Sequence, residues 1–169
     1  MAATQERIGQ VAREILERYV DLDETSSFSF DELDKIDGIS LLHDLEEGFD
    51  IKDLPESFLN DVHDLNALVG KLDIVLPQRY VRVFHEVRSI AAQNLEVKPG
   101  KIARQTHFID HLGADSLHRT AMYAGLKARF SGIEPGVLCD AENAGDLSDT
   151  IADIALEEAM NNAMTHDIA

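Results

Sequence analysis

The stretch Phe108-Ile109-Asp110-His111-Leu112-Gly113-Ala114-Asp115-Ser116-Leu117 decides how the rest of the chain is read. Gly113 permits a tight turn, Asp115 is a good helix N-cap, and Leu117 opens an apolar stripe continued by Met122 or Tyr123, Leu126 and Phe130. The spacing therefore predicts a helix that starts at Ser116, with Leu117 as a buried anchor at its first turn. A serine there lies among unpaired backbone N–H groups at the positive end of the helix dipole, which favours an attached anion. Such a hydroxyl suits a phosphodiester better than proton-transfer chemistry. A hydrolase elbow would need Gly two residues after the serine, and His118 stands there.

The pattern Phe-x-x-x-Leu-Gly-Ala-Asp-Ser-Leu resembles the prosthetic-group attachment site of acyl carrier proteins. The resemblance implies that 4′-phosphopantetheine is transferred from coenzyme A to Ser116. Asp115 and Leu117 would complete the attachment site, and the new thiol would carry acyl groups as thioesters. The expected partners are a phosphopantetheinyl transferase, acyl synthases or acyltransferases, and the acyl chain. The spelling tilts towards fatty-acid and lipid synthesis. A peptidyl, aminoacyl or polyketide carrier, or an unmodified interaction protein, are the alternatives. The protein itself is expected to catalyse nothing.

Outward from this stretch the chain repeats itself. Ile8, Val11, Ala12, Ile15, Leu16 and Tyr19 mark a first helix, Asp21 to Ser29 a loop, and Ile36, Ile39, Leu42, Leu45 and Phe49 a second helix. A short element at Glu56–Asn60 and a stripe at Val62, Leu65, Leu68, Val69 and Leu72 follow. Val83, Val87, Ile90, Ala91 and Leu95 begin the series again, with a polar loop over 97–106. After the helix at Ser116, Pro135-Gly136 is a break, and Leu147, Ile151 and Ile154 mark the last helix. The expected fold is all-α, two tandem four-helix bundles of acyl carrier type. Their bounds are 1–73 for a degenerate domain, 74–80 for a linker containing Pro77, 81–158 for the intact domain and 159–169 for a tail.

Phe130 lies fourteen residues after Ser116 and Phe49 fourteen after Lys35, so Asp115 matches Asp34 and Leu117 matches Ile36. Lys35 thus occupies the place of the serine, and an amine cannot become the phosphodiester. A register on Ser40 leaves only nine residues to Phe49 and puts Ile39 where Asp belongs. The first half reads as a pseudo-carrier without an arm, serving for docking or regulation.

Charge separates the halves. Residues 1–77 hold 6 Lys and Arg against 19 Asp and Glu, net −13, and residues 78–169 hold 9 against 13, net −4, which together make the −17 of the chain. That balance disfavours nucleic acid and anionic membrane surfaces. Asp34, Asp37, Asp44, Glu46 and Glu47, with Asp31 and Glu32, form an acidic docking candidate. His118, Arg119, Lys127 and Arg129 form a basic one on a helix with no acid from Ser116 to Phe130. Ala121, Ala124, Gly125 and Ala128 are small enough to leave room for an acyl chain. One cysteine, Cys139, excludes an internal disulfide framework. No segment reads as a signal or membrane span, so a cytoplasmic monomer is expected. No metal is expected: His107 and His111 lack a third ligand, and a calcium loop around Gly38 would need acids at Leu33 and Lys35.

Overall fold

The computed structural model describes residues 2–22 and 34–165. They form six α-helices: α1 (Ala2–Leu16), α2 (Lys35–Gly48), α3 (Leu65–Asn94), α4 (Ser116–Arg129), α5 (Pro135–Asp140) and α6 (Ala144–Thr165). Short 3₁₀ helices at Glu56–Leu59 and Pro99–Lys101 complete the described elements. The protein is all-helical. Two compact units divide it, one reaching to Pro77 and including the chain from Leu156, the other spanning Gln78–Ala155. Asp31, Glu32 and most of the loop expected at Asp21–Ser29 lie outside the described residues, as do the last four residues of the tail.

In the first unit, α1 buries Ile8, Val11, Ala12, Ile15 and Leu16, the three-and-four spacing of one helix face. Helix α2 meets it with Leu41, Leu42, Leu45 and Phe49. The approach is close: a Cβ on Gly48 would lie 2.6 Å from Ile15 Cδ1. Ile36 and Ile39 were expected in this stripe, yet they are 72% and 49% exposed. Ile36 is five residues from Leu41, and at 100° per residue that is about 140° away from the buried face.

The segment 74–80 is helical, inside α3, and is no extended linker. Pro77 removes one backbone donor, but Leu72 and Leu76 before it and Arg79 and Val83 after it are buried. The Arg79 guanidinium donates to the Ala152 carbonyl at 2.5 Å, and the Tyr80 hydroxyl to Asp153 Oδ1 at 2.5 Å. Packing on both sides of the proline offsets the single lost bond. Residues 159–165 continue α6 and belong to the first unit. Met160 is buried there, Arg7 pairs with Glu157 at 2.9 Å, and Arg18 donates to the Ala163 carbonyl at 2.6 Å.

In the second unit the core gathers Val83, Val87 and Ala91 of α3, Met122 and Leu126 of α4, Leu138 of α5, and Leu147 and Ile151 of α6. Phe108, Ile102 and Ile133 enter it from the connecting segments. Pro135 opens α5 instead of breaking α4, which has already ended at Phe130. Proline is well suited to that first-turn position because its missing N–H has no partner to lose.

Candidate functional site at the start of the fourth helix

The segment before α4 is fixed from both ends. Thr106 is buried, its hydroxyl accepting from the Ala103 N–H at 2.9 Å, and its carbonyl receives the Ala144 N–H at 2.9 Å. Arg104 clasps the Asp149 carboxylate through 2.7 and 2.6 Å contacts. Phe108 is buried, and its carbonyl accepts from the Ala114 N–H at 2.9 Å. The turn between them closes at Gly113, where φ is +66°, a left-handed conformation that glycine adopts without a steric penalty. His107 and His111 are used within this turn: the His107 N–H donates to His111 Nδ1 at 3.1 Å, and the rings meet edge to face at 5.1 Å.

Asp115 caps α4 as expected. Its Oδ1 accepts from the His118 N–H at 2.9 Å, and the His118 ring turns back to the cap, Nδ1 lying 2.8 Å from the same oxygen and 3.4 Å from the Asp115 N–H. The backbone bond from His118 is the main cause that holds the Asp115 carboxyl below its ordinary range. His118 is therefore part of the cap, and its side chain stays 41% exposed there. The imidazole nearest in sequence to Ser116 is committed to Asp115, and Ser116 itself is exposed at the first helical position. Such a hydroxyl is open to modification by another protein.

Leu117 is not a buried anchor. It is 75% exposed, for the same reason as Ile36: it precedes Met122 by five residues and points to the far side of the helix. Arg129 was expected on the docking face, but its guanidinium pairs with Glu86 of α3 at 2.7 and 3.0 Å. Lys127 is exposed, with Nζ 5.7 Å from the centre of the Tyr123 ring. Arg119 is half-buried and reaches α5, with Nη2 3.6 Å from Cys139 Sγ.

The proposed room for an acyl chain along the small residues is absent. Ala121, Ala124 and Ala128 are exposed, because they alternate with the core positions Met122 and Leu126. Gly125 instead permits close packing: an added Cβ would lie 2.9 Å from Ile90 Cγ2. A cavity of about 130 Å³ occurs elsewhere in this unit, lined by His107, Phe108, Ile109 and Asp110, by Arg119 and Met122 of α4, and by Leu138, Cys139, Ala141 and Glu142 in and after α5. Nothing in the sequence spacing signalled it, since its walls come from three separate segments.

In the first unit α2 begins in the same way. Asp34 Oδ1 accepts from the Ile36 and Asp37 N–H groups, both at 2.8 Å, and Lys35 is the first helical residue. The acidic residues there divide by use. Asp44 accepts from the Tyr19 hydroxyl at 2.8 Å and lies 3.4 Å from Arg18, and Glu46 accepts from the Leu54 N–H at 2.6 Å. Burial, then the bond to Asp44, pushes the Tyr19 hydroxyl up to about 12. Asp37 and Glu47 remain exposed. His43, Asp44 and Glu47 offer ligand atoms within 4.8 Å of one another, but Asp44 is already engaged by Tyr19 and Arg18. Among the described residues no helix is long and apolar enough to cross a membrane.

Compared with known proteins, the chain matches no family model and no solved structure.

Proposed function

We propose that the protein is an acyl carrier of tandem design, in which Ser116 bears 4′-phosphopantetheine and the first unit is a carrier-type bundle without an arm. The observation that carries this reading is the start of α4: an exposed serine at the first helical position, behind a capping aspartate whose carboxylate is turned away to His118. The residues fit the group. A phosphodiester on Ser116 would lie at the positive end of a fourteen-residue helix, and the glycine turn holds the preceding segment clear. When bound, the group supplies a thiol that carries acyl chains as thioesters.

The chain's own residues present and position the arm. Leu117, Arg119 and Lys127, with His118 and Arg129, whose side chains stay 41% and 51% exposed beside Asp115 and Glu86, are the residues proposed to meet a phosphopantetheinyl transferase and acyl synthases or acyltransferases. The helices of the two units support a reading as two four-helix carrier-type bundles. In the first unit Lys35 excludes attachment, and exposed Ile36, Ile39, Asp37 and Glu47 suit a docking or regulatory module. Fatty-acid or related lipid synthesis is the pathway class that the motif spelling favours.

Loading with an acyl coenzyme A and a broad-specificity transferase tests this. The acyl adduct is expected on the peptide containing Ser116 and is expected to be released by neutral hydroxylamine, as a thioester is. An adduct that resists hydroxylamine, or one on a peptide without Ser116, would refute the proposal.

A further inference from the structure

We infer that α2 of one copy of the chain docks along the outer face of α4 of a second copy, in place of the monomer expected from the sequence. The inference names a partner for the first unit and needs no arm on Ser116. At 100° per residue, the second, sixth, ninth and thirteenth residues of either helix fall within about 60° of one another. On α2 these are Ile36, Ser40, His43 and Glu47, with Ile39 beside them; on α4 they are Leu117, Ala121, Ala124 and Ala128. Leu117 and the three alanines are exposed, and so are Ile36, Ile39, His43 and Glu47.

The two faces differ in shape and in charge, and each fits the other better than itself. Helix α4 offers a low apolar shelf, against which the branched side chains of Ile36 and Ile39 can seat while the helix axes come close. Helix α2 carries Lys35 against Asp37, Asp44, Glu46 and Glu47, net −3, whereas α4 carries Arg119, Lys127 and Arg129 with no acid, net +3. Part of this charge is already engaged. Asp44 is held by Tyr19 and Arg18, Glu46 by the Leu54 N–H and Arg129 by Glu86, while Arg119 turns towards Cys139. Asp115, the acid just before α4, is held by His118. Asp37 and Glu47 remain exposed on α2 and Lys127 on α4, and the Arg129 side chain is 51% exposed.

Pairing α4 with α4, or α2 with α2, sets like charges against each other; pairing α2 with α4 sets acids against bases. At about 0.15 M salt the Debye length is about 8 Å, so the charges in contact decide, and the −17 of each whole chain is largely screened. Every copy carries one face of each kind, so the contact joins two different surfaces of like chains.

Sedimentation equilibrium of the unmodified full chain tests this, from about 1 μM to about 1 mM and in reducing buffer, so that the exposed Cys139 forms no disulfide between copies. The mass of the parent is expected to rise above that of one chain with concentration. Ile36→Lys, which adds a base to α2, and Ala124→Glu, which adds an acid to α4, are each expected to weaken association at least about tenfold. Both sites are exposed, so helical circular dichroism should be kept; Ile39→Lys and Ala128→Glu form a second pair should it not be. An equimolar mixture of the two variants is expected to associate again, because the intact α2 of one meets the intact α4 of the other. A parent that stays at the mass of one chain throughout, a variant of either pair that associates as the parent does, or a mixture no better than its components would overturn the inference. None of these outcomes touches the carrier reading, which loading of Ser116 tests separately.

Discussion

Helices α2 and α4 are built on one plan and end in different chemistry. Each has fourteen residues, each begins after a capping aspartate, Asp34 or Asp115, and each closes at a buried phenylalanine, Phe49 or Phe130. Leu41 and Met122 are buried at matching positions, as are Leu45 and Leu126, while Ile36 and Leu117 are both turned outward. The difference sits at the first helical residue, Lys35 in one and Ser116 in the other. A fold can therefore keep its cap, its core and even its exposed apolar residue when the residue that carries the chemistry is exchanged. The core constrains positions three and four apart; the first turn is constrained only by its cap.

The largest effect should come from the closing phenylalanines. Phe49→Ala is expected to cost about 3–5 kcal/mol and Phe130→Ala the lower end of that range, since Phe49 is fully buried and Phe130 retains 8% exposure. Urea titrations of each variant decide this, and equal losses below 1 kcal/mol would break the equivalence. Next come the two glycines of α2. Gly48→Ala should destabilise by about 1–3 kcal/mol, because its Cβ would press on Ile15. Gly38→Ala meets nothing within 4 Å and should stabilise by about 1 kcal/mol.

The caps follow. Asp34→Ala is expected to lose about 0.5–2 kcal/mol in thermal or urea unfolding, and Asp115→Ala to be destabilised in the same direction. The contribution of Asp115 should be present above the usual aspartate pKa and vanish as pH falls through its depressed value.

The smallest effect is alkaline. Tyr19 and Tyr80 are both held up to about 12, mainly by burial and then by bonds to Asp44 and Asp153. Protons are thus bound more tightly in the folded state. The stabilisation should be complete below pH about 10 and decline between 10 and 12. Tyr19→Phe and Tyr80→Phe should each flatten part of that decline in denaturation measured across this range, at a cost of about 1 kcal/mol near neutrality.

Much of this design is legible in the sequence. The periodic stripes place α1, α2, α4, both ends of α3 and the first part of α6, and the Gly113 turn and the two aspartate caps follow from local chemistry. What escapes is set by partners distant in sequence. Pro77 reads as part of a linker, and the two units do part there, but α3 runs through it, with Arg79 and Tyr80 bound to residues 73 positions away. Arg129 reads as free until Glu86 is found beside it. The capping role of His118 goes unread because a histidine is not the usual third residue of a capping box. Leu117 and Ile36 differ for another reason: each is hydrophobic, but the helix angle sets it about 140° from Met122 or Leu41.

The central contrast, one armed helix and one silent, is tested most directly by intact mass after incubation with coenzyme A and a broad-specificity phosphopantetheinyl transferase, with Ser116→Ala beside the parent. One added arm on the parent and none on the variant is the predicted result. Two arms on the parent, or any arm on Ser116→Ala, would contradict it.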